Sequence, residues 1–425
     1  MTLSPLAEIE RRVQTRARRQ GFDPADAEGA TALRALVEEE VAAWSEAFRR
    51  GRRPVDLADP AQIAERAHRN IVGYGPLTRL LEDDDVWEIM INAPDAVFVR
   101  RHRGESGYHD EVFHDDDHVA RTLTKVLDDS AVSHRKLDPA EGLQDAQLDD
   151  GSRIHVVHRD LSRGGHVLVN VRRFTGVAFH DLDQLVERAM LPQAVATFLV
   201  ACMRARLSIV VAGPPGSGKT TLLSCCTAHL DPALRVVVAE EVFEVDVPLP
   251  NVASMQTRPP RPDRPAVDLR QLVSGFLRMA PDVAVVGEVR DREALPLLLT
   301  LSSGVTGYTT IHAGSARRAL TRLRFLCQLA DTSSELPLVT LNHLVSDSID
   351  LVVHCERGPE GPRVTEVLAV EEPAGPSDAS QFTVTPLFEL DESARLTWSG
   401  NVPVRATAVL RDRGFDAREL LGGPR

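Results

Sequence analysis

Gly213-Pro-Pro-Gly-Ser-Gly-Lys-Thr220 narrows the choice of folds for this chain more than any other stretch. It fits G-x-x-x-x-G-K-[ST], with apolar Leu207 to Ala212 before it and helix-like Thr221 to Leu230 after it. That strand, loop and helix setting is the one in which this spacing cradles phosphate. Gly213, Gly216 and Gly218 let the backbone of Pro214, Pro215 and Ser217 approach closely and turn N–H groups toward phosphate oxygens, at the positive end of the helix opened by Thr220 and Thr221. Lys219 is expected to reach the β- and γ-phosphates and Thr220 to place its hydroxyl on Mg²⁺. Of 49 basic residues only Lys125, Lys136 and Lys219 are lysine, so a lysine here breaks the chain's habit of using arginine. A glycine-rich turn that binds nothing would leave both flanks unexplained.

The length of 425 residues exceeds one ordinary core and predicts about two or three domains. Hydrophobic content of 43% with 26% charged residues fits a globular protein. The net charge of −13 argues against a protein built to grip nucleic-acid backbone, and no nucleic-acid partner is expected. A nucleotide needs only a local site and stays allowed. Cys202, Cys225, Cys226, Cys327 and Cys355 form no Cys-x-x-Cys pair and read as buried free thiols of a reducing cytoplasm. The first ten residues carry no export signal, and no apolar run approaches the ~20 residues of a spanning helix.

Residues 1–70 read as a helical segment, with Leu33, Leu36, Val37, Val41, Trp44 and Phe48 at steps of three and four. The basic run Arg11 to Arg19 is a solvated helix face or a surface for anionic lipid or a partner helix. Residues 71–174, ending about Phe174, read as an α+β domain: paired strands about a turn at Asn92 to Asp95, a helix over Val119 to Leu127, and strands near Ile154 to Val157 and Val167 to Arg173. In His114-Asp-Asp-Asp-His118 the two histidines invite a metal, while the acids suit a helix start. Arg153 and Arg172 are ordinary surface arginines or cations that touch a nucleotide.

A linker is expected over 175–190, then a P-loop domain over 191–370 and an accessory tail over 371–425. Runs at Ser208 to Ala212, Arg235 to Ala239, Val283 to Val286 and Tyr308 to Ile311 alternate with helical stretches, predicting an α/β fold with a mostly parallel sheet flanked by helices. Ligands in such sheets bind beyond the carboxyl ends of the strands. Glu240, Glu241 and Glu244 follow one run, Glu288 and Arg290 another, and His312 a third. Attack on a γ-phosphate needs Mg²⁺ held, a water oriented and charge stabilised. Glu288 suits Mg²⁺ through water, Glu240 the attacking water, and His312 the γ-phosphate, whereas a lone carboxylate at any of these places would be a helix cap or surface ion pair.

Gly213 to Thr221, Val236 to Glu244, Leu277 to Asp282 with Val285 to Arg290, and Tyr308 to Ala313 follow one another as in the secretion and pilus-assembly ATPases of type II and type IV secretion. The chain resembles that family over roughly residues 70 to 370, and within it the Tad/Flp pilus motors. Gly73 to Leu81, Trp87 to Pro94, Asp149 to Arg153, Arg172 to Phe174 and Ser348 to Arg357 extend the likeness. The resemblance implies a RecA-like ATPase domain that binds ATP with Mg²⁺, a hexameric ring, and work on a membrane platform protein from the cytoplasmic face of the inner membrane. It places Glu240, Glu241 and Glu244 in an acidic box, Glu288 in the Walker B box, His312 as the second histidine of a His box, and Arg153 and Arg172 near the nucleotide. Glu241 stands where aspartate is usual, Val305 where the first histidine is usual, and Gly314 where asparagine is usual, with Ser302 to Ile311 one residue short. Those departures keep two other readings open, a nucleotide-binding scaffold without turnover and a nucleic-acid translocase.

Overall fold

Val236-Val-Val-Ala239 and Val283-Ala-Val-Val286 are apolar on both faces, as strands must be when helices cover both sides of a parallel sheet. The computed structural model describes residues 4–22, 27–101, 104–130, 136–173, 179–258, 264–330, 336–373 and 381–422. They fall in two units, Met1–Thr175 and Gly176–Arg425.

The first unit begins with α1 (Pro5–Gln20), α2 (Ala27–Arg49) and α3 (Pro60–Val72). Ser4 caps α1 by accepting from the Ala7 amide, and Gly21 ends it in the left-handed conformation. Ile9 and Val13 of α1 are buried in one cluster with Leu33, Val37 and Trp44 of α2. In the basic run, Arg12 and Arg16 pair with Glu8, Glu39 and Glu40, so that part is an ion-paired helix face. After α4 (Leu77–Glu82) come β1 (Val86–Ala93), β2 (Ala96–Arg101), β3 (Gly107–Tyr108), α5 (Asp116–Asp129), β4 (Leu143–Gln147), β5 (Arg153–Val157) and β6 (Leu168–Arg172). The strands form one antiparallel sheet, β3-β2-β1-β6-β5-β4, with α5 against its apolar face. Phe174, expected to close this domain, lies outside the described residues.

Of the expected linker, 175–178 also lie outside the described residues, while α6 (Leu182–Glu187) buries Leu182 and Leu185 in the core of the second unit. The chain continues through α7 (Gln193–Ala205), β7 (Ile209–Ala212), α8 (Lys219–Thr227), β8 (Val236–Glu240), β9 (Val252–Gln256), α9 (Leu269–Ser274), β10 (Val283–Val289), α10 (Ala294–Leu301), β11 (Thr306–Ile311), α11 (Ala316–Ala330) and α12 (Leu338–Ser348). Then follow β12 (Leu351–Gly358), β13 (Gly361–Val370), β14 (Val384–Leu390), β15 (Leu396–Trp398), α13 (Val404–Asp412) and α14 (Ala417–Gly422). One nine-stranded sheet runs β15-β14-β13-β12-β7-β11-β10-β8-β9. Pairing is parallel from β12 to β9 and antiparallel from β12 to β15.

Alternate residues of each central strand serve opposite layers. Val211, Val238, Val285 and Val353 join one core cluster; Val210, Val237, Val286 and Val352 join the other. Residues 371–425, set apart above as an accessory tail, are built into this unit. Two of the sheet's strands come from them, and Leu387, Phe388, Leu410 and Leu421 are at most 1% exposed within the α7 layer. The five cysteines are free and buried. Among the described residues no helix is long and apolar enough to cross a membrane.

Candidate functional site

β7 ends at Ala212 and the chain enters the glycine-rich loop with Gly213 at φ 153°, Gly216 at 71° and Gly218 at 81°, conformations that disfavour any residue with a Cβ. At Gly213 a Cβ would also lie 2.2 Å from the Cys355 carbonyl oxygen, so β12 presses directly on the loop. The Ser217 hydroxyl, fully buried, donates to Pro214 O at 2.8 Å and closes the loop on itself. α8 starts at Lys219, which places Thr220 and Thr221 in its first turn, half-buried beside the loop.

The Lys219 ammonium is 6% exposed, donates to Pro214 O at 3.0 Å, and lies 3.3 Å from His312 Nδ1. His312 follows β11, which pairs with β7 so that Ile311 sits beside Ala212. Its Nδ1 is 3.2 Å from Gly213 O and its Nε2 is 3.0 Å from Glu288 Oε1. An ammonium cannot accept, so Nδ1 accepts from Lys219 and the proton sits on Nε2, toward the carboxylate. An imidazolium donating to Gly213 O instead would set two cations 3.3 Å apart. The Nε2–H tautomer therefore links Lys219 to Glu288 through one ring.

Glu288 reaches this ring because β10 bulges. Its partners on β11 step from Thr309 to Ile311 while β10 steps from Val286 to Val289, one residue more. The bulge keeps both valines in the same core layer and frees Gly287 and Glu288 from the ladder. Arg290 holds Glu288 with a two-pronged grip, Nε to Oε1 at 2.7 Å and Nη2 to Oε2 at 2.9 Å, and extends Nη1 to Glu241 Oε2 at 2.8 Å. Burial pushes the Glu288 carboxyl up, but the His312 and Arg290 hydrogen bonds and the Arg290 charge outweigh it and hold the group down at about 2. The same carboxylates push the Arg290 guanidinium above its ordinary range.

Glu240, 2% exposed at the end of β8, turns Oε1 back onto the amides of Glu244 and Val245, both at 2.9 Å. Gly287 leaves the space it occupies. Lys219, Glu288, Arg290, Glu241 and His312 thus form one connected group, with Glu240 against the Gly287 backbone beside it. Val305 is half-buried ahead of β11, at the opposite end of the strand from His312.

Arg153 and Arg172 belong to the first unit, where they face each other across β5 and β6, in register with Glu88 of β1. The histidine pair is structural in what it touches. Asp115 caps α5 by accepting from the His118 amide at 2.7 Å, His114 meets Glu10 at 2.8 Å, and the two rings stack at 4.9 Å. Among the described residues no cluster of three or more such side chains suits a metal ion.

Two residues that sequence reasoning did not single out also reach the site. Arg357 donates to Gly216 O at 3.3 Å, and His354 lies 3.3 Å from Ala313 O, one residue past His312. Both follow the apolar run Leu351 to Val353 within β12, so the rule that pointed to Glu240, Glu288 and His312 after such runs would have found them had Leu351 to Val353 been counted among the central strands.

The parallel sheet, the loop and the polar strand ends together define a RecA-like P-loop domain of the α/β class. The model of the type II/IV secretion system protein family matches residues 70–387, and the chain belongs to that family. It is similar to the conjugal transfer protein TrbB of Rhizobium radiobacter, 34% identical over 194 residues, 45% of this chain and 56% of that protein. That match spans little more than half of the relative's length. The type IV secretion system protein PtlH homolog of Bordetella bronchiseptica is 30% identical over 304 residues, 65% of this chain and 87% of that protein. Among solved structures, the VirB11 ATPase of the Brucella suis type IV secretion system, crystallised with sulphate, matches with 24% identity and a TM-score of 0.36 over 69% of this chain and 94% of that one.

Proposed function

We propose that the chain is an ATP-hydrolysing motor of a type II/IV secretion or pilus machine, of the Tad/Flp kind by its sequence resemblance. It works as a hexameric ring at the cytoplasmic face of the inner membrane. Movement between its two units, driven by ATP binding and hydrolysis, is passed to a membrane platform protein. The observation that carries this reading is the link from Lys219 through His312 to Glu288 at the carboxyl ends of neighbouring strands. Family membership and the type IV secretion name of the PtlH homolog support the setting.

The residues suit Mg²⁺. The Thr220 hydroxyl and a Glu288 carboxylate kept ionised are hard oxygen donors, the type that ion prefers. When bound it supplies positive charge against the phosphate oxygens. The loop amides and Lys219 bind the β- and γ-phosphates, with Pro214, Pro215 and Ser217 shaping the cradle. Lys219 moves its ammonium from Pro214 O to phosphate, and His312 turns its Nε2–H from Glu288 to the γ-phosphate. Glu240 orients the attacking water and takes its proton, while Glu241, Glu244 and Arg290 hold the acidic wall in place. Arg153 and Arg172 add charge from the first unit.

Purified protein is expected to hydrolyse ATP, with the rate per chain rising as the ring assembles. Lys219→Ala and Glu288→Gln should each lower turnover by about a hundredfold or more. A hexameric wild type no faster than Glu288→Gln would favour the scaffold reading, and stimulation by DNA the translocase.

A further inference from the structure

The β12–β13 hairpin touches the candidate site at two places. Toward the phosphate loop, the Cys355 carbonyl lies against Gly213, Arg357 donates to Gly216 O at 3.3 Å, and Pro362 Cβ would be 3.0 Å from a Cβ at Gly218. Toward the turn after His312, His354 Nε2 lies 3.3 Å from Ala313 O, and Glu366 Oε2 accepts from the Ala316 amide at 2.9 Å. His354 pairs with Ala212 in the sheet, and Ala212 in turn with Ile311. Only an alanine separates the ring from β11, so it reaches across β7 to the chain beyond His312.

The His354 ring is 3% exposed and both nitrogens are engaged. The Ala313 carbonyl can only accept, so the proton sits on Nε2, and Nδ1 accepts from the Thr365 hydroxyl at 2.8 Å. Ala313 O thus fixes the tautomer, and Thr365 holds the other side of the ring in place. A buried, doubly satisfied imidazole that grips one backbone oxygen next to His312 has a defined mechanical consequence: it sets where the His312 side chain starts.

We infer that His354 is a positioning residue for His312, and Arg357 one for the phosphate loop, so that the hairpin holds the γ-phosphate contact and the phosphate cradle at a fixed spacing. This rests on the nucleotide-site reading above and goes beyond it in assigning the spacing to β12. Because the site reading gives His312 the third phosphate alone, loss of His354 should weaken a triphosphate and spare a diphosphate. Loss of Arg357, acting through Gly216, should weaken both alike.

The test is titration of full-length protein with fluorescent N-methylanthraniloyl ADP, displaced by ADP or by ATPγS, alongside kcat and KM for ATP. Wild type is expected to prefer the triphosphate. His354→Ala should erase that preference and lower kcat by about tenfold or more, with ADP affinity held within about twofold. His354→Gln, whose amide nitrogen can donate to Ala313 O, should restore both. Arg357→Ala should weaken ADP and ATPγS by the same factor, with Arg357→Lys between it and wild type. Should His354→Ala prove too unstable to purify, Thr365→Val, which removes only the group that orients the ring, should reduce the triphosphate preference in the same direction. An unchanged ATPγS-to-ADP ratio in His354→Ala or Thr365→Val, a changed ratio in Arg357→Ala, or no rescue by glutamine overturns the inference alone. A wild type that binds neither nucleotide overturns the site reading and the inference with it.

Discussion

At Gly287 a side chain has nowhere to go. A Cβ there would lie 2.8 Å from Glu240 Cγ and 2.9 Å from its Oε1, so the β10 bulge and the Glu240 carboxylate divide one space. Gly287→Ala is expected to drive that carboxylate off the Glu244 and Val245 amides, lowering kcat by about tenfold or more while ADP affinity stays within about twofold. Equal losses in both measurements would assign Gly287 a purely structural part. Glu288 offers a test by pH. Its carboxyl sits at about 2 against an ordinary 4.5, so the His312 and Arg290 contacts contribute fully above pH 4.5 and are lost as pH falls through about 2. Arg290→Ala removes two donors, and the acid limb of turnover attributable to Glu288 should move up toward 4.5. Identical pH profiles for the two proteins would contradict this. Lys219, Glu288 and His312 were legible in the sequence because each follows its own apolar run. His354 and Arg357 were not, because nothing local says that a strand about 140 residues downstream lies beside β7.

Among the elements, α5 has a pH dependence that follows from how it is buried. His118 is pushed down to about 3, first by burial, then by the neighbouring His114 and by Arg121 and Arg66, with Asp115 opposing. A ring neutral in the fold and protonated in the unfolded chain supports folding above its ordinary 6.5, and that support is lost as pH falls from there toward about 3. Denaturant melts of the full chain should show the first unit weakening through this window. His118→Gln should flatten the dependence, and a slope that survives it would place the titrating group elsewhere. Capping by Asp115 is a separate contribution, and Asp115→Ala should cost about 1 kcal/mol. The acids of His114 to His118 announced a helix start correctly. That His114 meets Glu10 and stacks on His118 depends on α1 reaching the chain just before α5, a long-range contact that periodicity does not encode.

Over the whole molecule, the four central strand runs and the α+β character of the first unit could be read from periodicity. β9 and β12 to β15 could not, since prolines interrupt or flank several of them and their pairing is set by the sheet rather than by pattern. The tail shows the difference most plainly. Leu387, Phe388, Leu410 and Leu421 are buried, and at about 1.5–3 kcal/mol each they amount to about 6–12 kcal/mol, comparable with the stability of an entire domain. Glu371 secures α13 from outside the helix, accepting from the Val404 and Arg405 amides at 2.9 and 3.0 Å. Removal of residues 381–425 is therefore expected to uncover the edge of β13 and yield aggregated protein on size-exclusion chromatography. A shortened chain that elutes and melts like the full one would show the tail to be dispensable after all.

The position of β7 has a consequence for how the protein is made. The strand that carries the phosphate loop is flanked by β11 and β12, whose pairing residues lie about 100 and about 140 residues later in the chain. At about 5–20 residues per second of synthesis, the loop emerges from the ribosome about 7–28 s before its second flank exists. Until β11 is made, an apolar strand waits in the cell with two open edges, and until β12 is made it waits with one. The glycine-rich loop is thus among the first parts of its domain to be translated and among the last to be shaped.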